Sequence, residues 1–113
     1  MSGLFYNSNF NNNIGNWNTS NVTDISEMFS DTPFNISIEN WNVSSISNMS
    51  FLFYNSDFNQ RLDNWDVGKV TNMAGMLGRT SYTLFIGNWN VSSVTDMSYM
   101  FYLNTNFNSS IEN

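Results

Sequence analysis

Apolar and polar positions follow one another in a fixed order that repeats every 24 residues. In each repeat an aliphatic residue precedes tryptophan by three positions and Val or Thr follows it by two, as Ile38, Trp41 and Val43 show. The Trp and Val positions alternate with polar ones, and period two is typical of a strand whose apolar side chains share one face. The sequence therefore predicts one short strand in each repeat.

The apolar period changes after this strand. Spacings of three, three and one place Val22, Ile25, Met28 and Phe29 on one side of a short helix or tight-turn segment. The Ser, Thr, Asp and Asn residues at its start are the types that cap the first amides of a helix. A polar turn follows, and then an aromatic residue that we expect to be buried. The residues at this aromatic position are Phe10, Phe34, Phe58, Tyr82 and Phe107.

The four tryptophans divide the chain into repeats of one domain. Residues 17–40, 41–64, 65–88 and 89–113 form the repeats, and residues 1–16 form part of an earlier one. One such unit cannot close a core, but stacked units cover each other's apolar layers. The predicted fold is an α/β solenoid, a leucine-rich-repeat-like right-handed coil of 24-residue units. Its short strands would form a parallel ladder about 4.8 Å apart, with short helices or turns on the opposite side.

The tryptophan column is predicted to be structural core. Its members are Trp17, Trp41, Trp65 and Trp89. A sugar-stacking platform is the alternative, but the Ile, Leu and Val residues around the tryptophans favour the core. Two asparagine columns are predicted to satisfy backbone groups of a turn and of the neighbouring unit. They consist of Asn16, Asn40, Asn64 and Asn88, and of Asn11, Asn35, Asn59 and Asn108.

A polar position between Trp and Val is the candidate binding face. It carries Asn18, Asn42, Asp66 and Asn90, flanked by Glu39 and Asp63. In a strand ladder these residues would lie side by side on the surface that stacked repeats use for ligands. Two interpretations compete, a solvated polar face and a contact surface for a glycan or a protein. Ca²⁺ needs six to eight oxygen ligands and these columns are mostly amides, so we expect no metal site.

The chain is acidic and poor in charge, with three basic against nine acidic residues and a net charge of −6. It has no basic stripe for phosphates, and we expect no nucleic-acid partner. It also has no Cys and no His, so the usual nucleophiles and bases are missing. A two-carboxylate glycosidase stays open in principle, but we expect neither an enzyme nor a cofactor. No apolar run is long enough for membrane insertion.

The segment from Trp89 to Phe101, followed by Phe-Asn and an aliphatic residue, resembles the BspA-like leucine-rich repeat of bacterial surface proteins. This repeat is also described as the mycoplasma surface-lipoprotein repeat. The resemblance implies a cell-surface or secreted protein used for adhesion or protein contact, with no catalytic residues. It also allows a virion location. This chain contains no recognisable signal peptide and no lipid-anchoring cysteine.

The leading functional hypothesis is a non-enzymatic, adhesin-like module that contacts a protein or a glycan on a cell or particle surface. The alternative is a structural or spacer component of a larger assembly, such as a virion shell or a surface fibre. Both ends of the repeat array would then expose apolar side chains and unpaired backbone groups, which end-to-end or capping contact with another chain would cover.

Overall fold

Tight turns form the backbone of the computed structural model, which describes residues 1–104. Within these residues there is no helix, and extended pairing is limited to isolated parallel bridges. The bridges join Asp24 to Asn48, Asn48 to Asn72, and Asn72 to Asp96. Each bridge therefore links equivalent positions of two consecutive units.

Backbone hydrogen bonds hold consecutive units in register. In the turn segment of the second unit, the amides of Met49 and Phe51 donate to the carbonyls of Asn72 and Ala74 at 2.9 and 2.7 Å. The amide of Leu52 instead donates to the carbonyl of Met49, three residues earlier. Inter-unit bonds thus alternate with turn-closing bonds. The same pattern begins at Ile25 and Met73 in the neighbouring units.

Two positions in every unit have a left-handed backbone conformation with φ between 52° and 62°. Asparagine and aspartate tolerate this conformation, and glycine adopts it without cost, whereas most side chains lose roughly 1–2 kcal/mol there. The first position carries Gly3, Glu27, Phe51, Gly75 and Tyr99. The second carries Asn7, Asp31, Asn55, Arg79 and Leu103. The chain therefore turns at the same two points in each repeat.

The predicted α/β solenoid is wrong. No helix follows the Trp–Val segment in residues 1–104, because two left-handed residues interrupt it and every second amide bonds the next unit. No strand ladder forms either, since the amides of Trp41 and Ile46 close turns on the carbonyls of Ile38 and Val43. The radius of gyration is 12.6 Å, close to the roughly 13 Å of a compact domain of this length.

Stacked phenyl rings fill much of the core. Within a unit, Phe29 and Phe34 lie face to face with centroids 4.1 Å apart. Each ring also stacks on its equivalent in the next unit, Phe29 on Phe53 at 5.7 Å and Phe34 on Phe58 at 5.9 Å. All four rings are fully buried. Burial of aromatic area at equivalent positions therefore joins the units in addition to the backbone bonds.

Three of the four tryptophans lie in this core. Trp41, Trp65 and Trp89 are buried, and each indole N–H donates to a carbonyl 27 residues earlier in the chain. The acceptor of Trp65 is Ile38, which also accepts the amide of Trp41. Trp17 differs, since it is 38% exposed and its indole makes no hydrogen bond within the described residues. Only a partial unit precedes it in this sequence.

Tyr82 replaces phenylalanine in the second ring column. It is fully buried and stacks on Phe58 with centroids 6.3 Å apart. Burial raises the pKa of its hydroxyl above the ordinary value, and the nearby Asp63 carboxylate adds to the rise. The folded protein therefore disfavours the tyrosinate form.

We expect Tyr82→Phe to remove a component of alkaline unfolding. The raised pKa stabilises the fold fully below the unfolded-state pKa of about 10, and this stability is lost as the pH rises towards the folded-state pKa. Between pH 9 and pH 11 the parent should lose about 1.4 kcal/mol of unfolding free energy through Tyr82. The variant should not show this loss. Urea unfolding at both pH values measures this difference. The control is the exposed Tyr99→Phe, and an equal gain there would contradict the assignment.

Candidate binding surface

The candidate face is a row of capped turns. Asn18, Asn42, Asp66 and Asn90 are exposed, and each Oδ1 accepts the amide N–H two residues later at 3.0–3.1 Å. The hydroxyl of Ser44 donates to the same oxygen of Asn42 at 2.7 Å. These side chains therefore hold the turn after tryptophan. Within residues 1–104 their Nδ2 groups and the Oδ2 of Asp66 make no hydrogen bond and stay available.

The two flanking carboxylates differ from each other. Asp63 is half-buried and pairs with the guanidinium of Arg61 through two contacts of 2.8 and 3.1 Å. This hydrogen-bonded pair lowers the pKa of the Asp63 carboxyl and raises that of Arg61. Glu39 is half-buried and has no ion pair among the described residues. The face therefore holds one neutralised carboxylate, Asp63, and two without an ion pair in the described residues, Glu39 and Asp66.

One of the two asparagine columns links the units as predicted. The Oδ1 atoms of Asn11, Asn35 and Asn59 accept the amides of residues 24 positions later at 2.9–3.1 Å. This column is confirmed for those three members, while Phe107 and Asn108 lie outside the described residues. For the other column the prediction is wrong, because the side chains of Asn16, Asn40, Asn64 and Asn88 make no hydrogen bond within residues 1–104.

The predicted helix caps bind backbone amides of turns instead. Asp24, Asn48 and Asn72 each accept the amide two residues later at 2.8–2.9 Å. Asp96 does the same at 2.9 Å and also accepts the Ser98 hydroxyl at 2.6 Å, which lowers the pKa of this carboxyl. These residues therefore start each turn segment at the bridge between units.

A second surface was not foreseen from the sequence. It consists of the left-handed position and the residue three places later, which we call the outer pairs. The outer pairs are Gly3 and Tyr6, Glu27 and Ser30, Phe51 and Tyr54, Gly75 and Gly78, and Tyr99 and Tyr102. A column that mixes glycine with the largest side chains is the signal that could have revealed it. The backbone conformation at the first position of the pair is the same in every unit, although the side chains differ in size from unit to unit.

The aromatic pair of the second unit lies over the glycine pair of the third. A Cβ built on Gly75 would come within 2.3 Å of the Phe51 ring, and one built on Gly78 within 2.8 Å of the Tyr54 ring. The two rings contact each other edge to face with centroids 5.3 Å apart. Glycine at both places therefore provides the room that the rings occupy.

A cleft remains on the other side of these rings. Its volume is about 290 Å³, and its lining consists of Tyr6, Glu27, Ser30, Asp31, Phe51 and Tyr54. Glu27 is exposed and its carboxylate has no ion pair within residues 1–104. Asp31 accepts the side-chain amide of Asn55 at 2.6 Å through one oxygen. The cleft thus combines aromatic walls with carboxylates.

Neither a metal centre nor a membrane-crossing segment appears in the described part of the chain. No group of three or more carboxylates within residues 1–104 could hold a metal ion. Likewise, those residues include no helix long and apolar enough to cross a membrane.

The profile of a family described as "Mycoplasma protein of unknown function, DUF285" matches residues 1–83 and, overlapping, residues 57–113. The chain belongs to this family, which is broadly one of surface-protein repeats. No curated protein and no solved structure matched the chain in comparison. No activity is described for this family.

Proposed function

We propose that the chain is a non-enzymatic binding module that contacts another protein or a glycan at a cell or particle surface. Membership of a family of surface-protein repeats supports the location. The more specific BspA-like assignment, secretion and anchoring stay predictions.

The outer pairs are the observation that carries this proposal. The first residue of each outer pair has a similar left-handed φ in every unit, and in two units this residue is glycine, Gly3 and Gly75. Phe51 and Tyr99 adopt this conformation at a cost of roughly 1–2 kcal/mol each. Tyr99 is also 65% exposed, so burial does not offset its cost. An exposed aromatic ring kept on a strained backbone favours a contact role over a structural one.

The test removes exposed rings without changing the backbone. The double variant Tyr99→Gly/Tyr102→Gly introduces glycine at both positions, as in Gly75 and Gly78 of the third unit. The thermal unfolding midpoint should therefore stay the same or rise slightly. The biotinylated chain is offered to intact cultured cells and to an array of immobilised glycans. We expect saturable binding that the double variant weakens about tenfold, a loss near 1.4 kcal/mol.

A second variant examines the candidate face separately. Asn42→Lys/Asp66→Lys places two cations on that face while each turn loses a single side-chain acceptor. Loss of binding in either double variant, with unfolding temperature accounted for, supports a contact role. Absence of saturable binding to every surface contradicts the proposed function. Binding that neither double variant changes contradicts the assignment of that contact to the Tyr99–Tyr102 pair and to the candidate face.

A further inference from the structure

The cleft between Tyr6 and the Phe51–Tyr54 pair has a size and lining that select its ligand. At about 290 Å³ it lies at the lower end of the roughly 300–1,000 Å³ range of small-molecule sites. It therefore suits one side chain or one ring better than a large ligand. Tyr6, Ser30 and Tyr54 occupy equivalent positions in three consecutive units, so the cleft exists because the middle unit has serine there.

Charge distinguishes between the possible occupants. Glu27 lines the cleft without an ion pair in the described residues, and one oxygen of Asp31 makes no hydrogen bond there. The whole chain carries −6, so a cation is attracted from a distance as well. Of its three basic residues, Arg61 is paired with Asp63 and none lines the cleft. A neutral sugar would gain none of this electrostatic attraction.

We propose that this cleft binds an arginine side chain presented by a partner protein; the proposal rests on the proposed contact function and identifies the partner's chemistry. A guanidinium is planar, stacks on aromatic faces and forms forked hydrogen bonds with a carboxylate. The cleft offers the corresponding groups, because two tyrosines, Tyr6 and Tyr54, and the carboxylate-bearing Glu27 line it. Lysine lacks the flat group and binds more weakly.

The probe is the acetylated pentapeptide Gly-Ser-Arg-Ser-Gly amide, titrated into the full chain and followed by NMR shifts of backbone amides. A peptide with citrulline in place of arginine keeps the planar shape without the charge. We expect the arginine peptide to shift the amides of Tyr6, Glu27 and Tyr54, and the citrulline peptide to bind about tenfold more weakly. Binding should also weaken in 0.5 M salt, because part of it is ionic.

Two variants separate the charge from the cavity. Glu27→Gln keeps the side-chain shape, and we expect it to raise the Kd about tenfold. Ser30→Tyr introduces the residue that the neighbouring units carry at Tyr6 and Tyr54, which fills the cleft and should abolish binding with the carboxylate intact. The control is Asp57→Asn, which removes an exposed carboxylate outside the cleft and matches Asn9 in the partial repeat of residues 1–16. It should change the Kd less than about twofold.

Several results would overturn the proposal. They are equal affinity for arginine and citrulline peptides, binding that survives Glu27→Gln and Ser30→Tyr, and shifts at these amides caused by a neutral monosaccharide instead. The cell-surface assay remains separate. If the chain binds a surface and Glu27→Gln leaves that binding unchanged, the arginine site fails while the contact function stands. If the peptide binds at Glu27 but no surface binds the chain, the contact function fails and the cleft chemistry stands.

Discussion

Trp65→Ala is expected to lower the free energy of unfolding by about 3–5 kcal/mol, the range for deletion of a buried aromatic side chain. Trp65 is 4% exposed, and its indole N–H donates to the carbonyl of Ile38, 27 residues earlier in the chain, at 3.2 Å. Alanine would leave a cavity and remove one bond between units. Since a domain of this size has about 5–15 kcal/mol of stability, such a loss is a large part of the total. Urea unfolding followed by circular dichroism measures it.

Two variants show which part of the tryptophan matters. Trp17→Ala changes the equivalent residue of the first unit, where the indole is exposed and makes no hydrogen bond in the described residues, so its cost should be below about 1.5 kcal/mol. Trp65→Phe keeps most of the ring volume. It leaves the Ile38 carbonyl bonded to the amide of Trp41, so its cost should lie between the other two. Equal losses for Trp17→Ala and Trp65→Ala would mean that burial does not set the cost.

The repeat was readable from the sequence because tryptophan, aliphatic and phenylalanine positions recur at one spacing. That spacing correctly identifies the Phe29–Phe53 and Phe34–Phe58 contacts as equivalent positions of neighbouring units. It does not distinguish a helix from a chain of turns. Val22, Ile25 and Met28 are three apart in either case, and what differs is where the backbone amides bond. The spacing of apolar side chains does not show which carbonyl each backbone amide bonds.

A neglected signal for the turns was present at the left-handed positions. Asn7, Asp31 and Asn55 recur at one of them, and Gly3 and Gly75 at the other. These residue types tolerate positive φ, and their recurrence at fixed phase argues against a regular helix. Phe51 and Tyr99 obscured the first left-handed position, because aromatic residues are unexpected there. Phe51 and Tyr99 are thus important for the proposed contact surface, and they also made the left-handed backbone at their position hard to predict.

The cleft could not be predicted at all. It depends on the direction in which Phe51 and Tyr54 lean, and this direction follows from glycine at Gly75 and Gly78 in another unit. Each ring and the glycine beneath it are 24 residues apart in the chain. Their contact depends on the space that glycine leaves, which the residue types alone do not show. The candidate face was found by its spacing, yet its turn-capping hydrogen bonds required coordinates.

Gly75→Ala is expected to destabilise the protein by about 2–5 kcal/mol for two separate reasons. At φ +62° a Cβ costs roughly 1–2 kcal/mol, as the neighbouring units already tolerate at Glu27 and Phe51. The new Cβ would also lie 2.3 Å from the Phe51 ring, which must move, and such overpacking costs about 1–3 kcal/mol. Gly68→Ser is the matched control, because Ser20, Ser44 and Ser92 occupy that position elsewhere and its φ is not left-handed.

A double-mutant cycle separates the two costs of Gly75→Ala. In a Phe51→Gly background the ring is gone, so only the conformational cost should remain, and the coupling energy should be about 1–3 kcal/mol. A coupling near zero would show that Phe51 does not lean on Gly75. The same displacement connects stability with binding, because Phe51 also lines the cleft and a ring pushed off Gly75 would alter that wall. Gly75→Ala should therefore weaken binding of the arginine peptide under conditions where the chain is still fully folded. It does so although every residue that lines the cleft is unchanged.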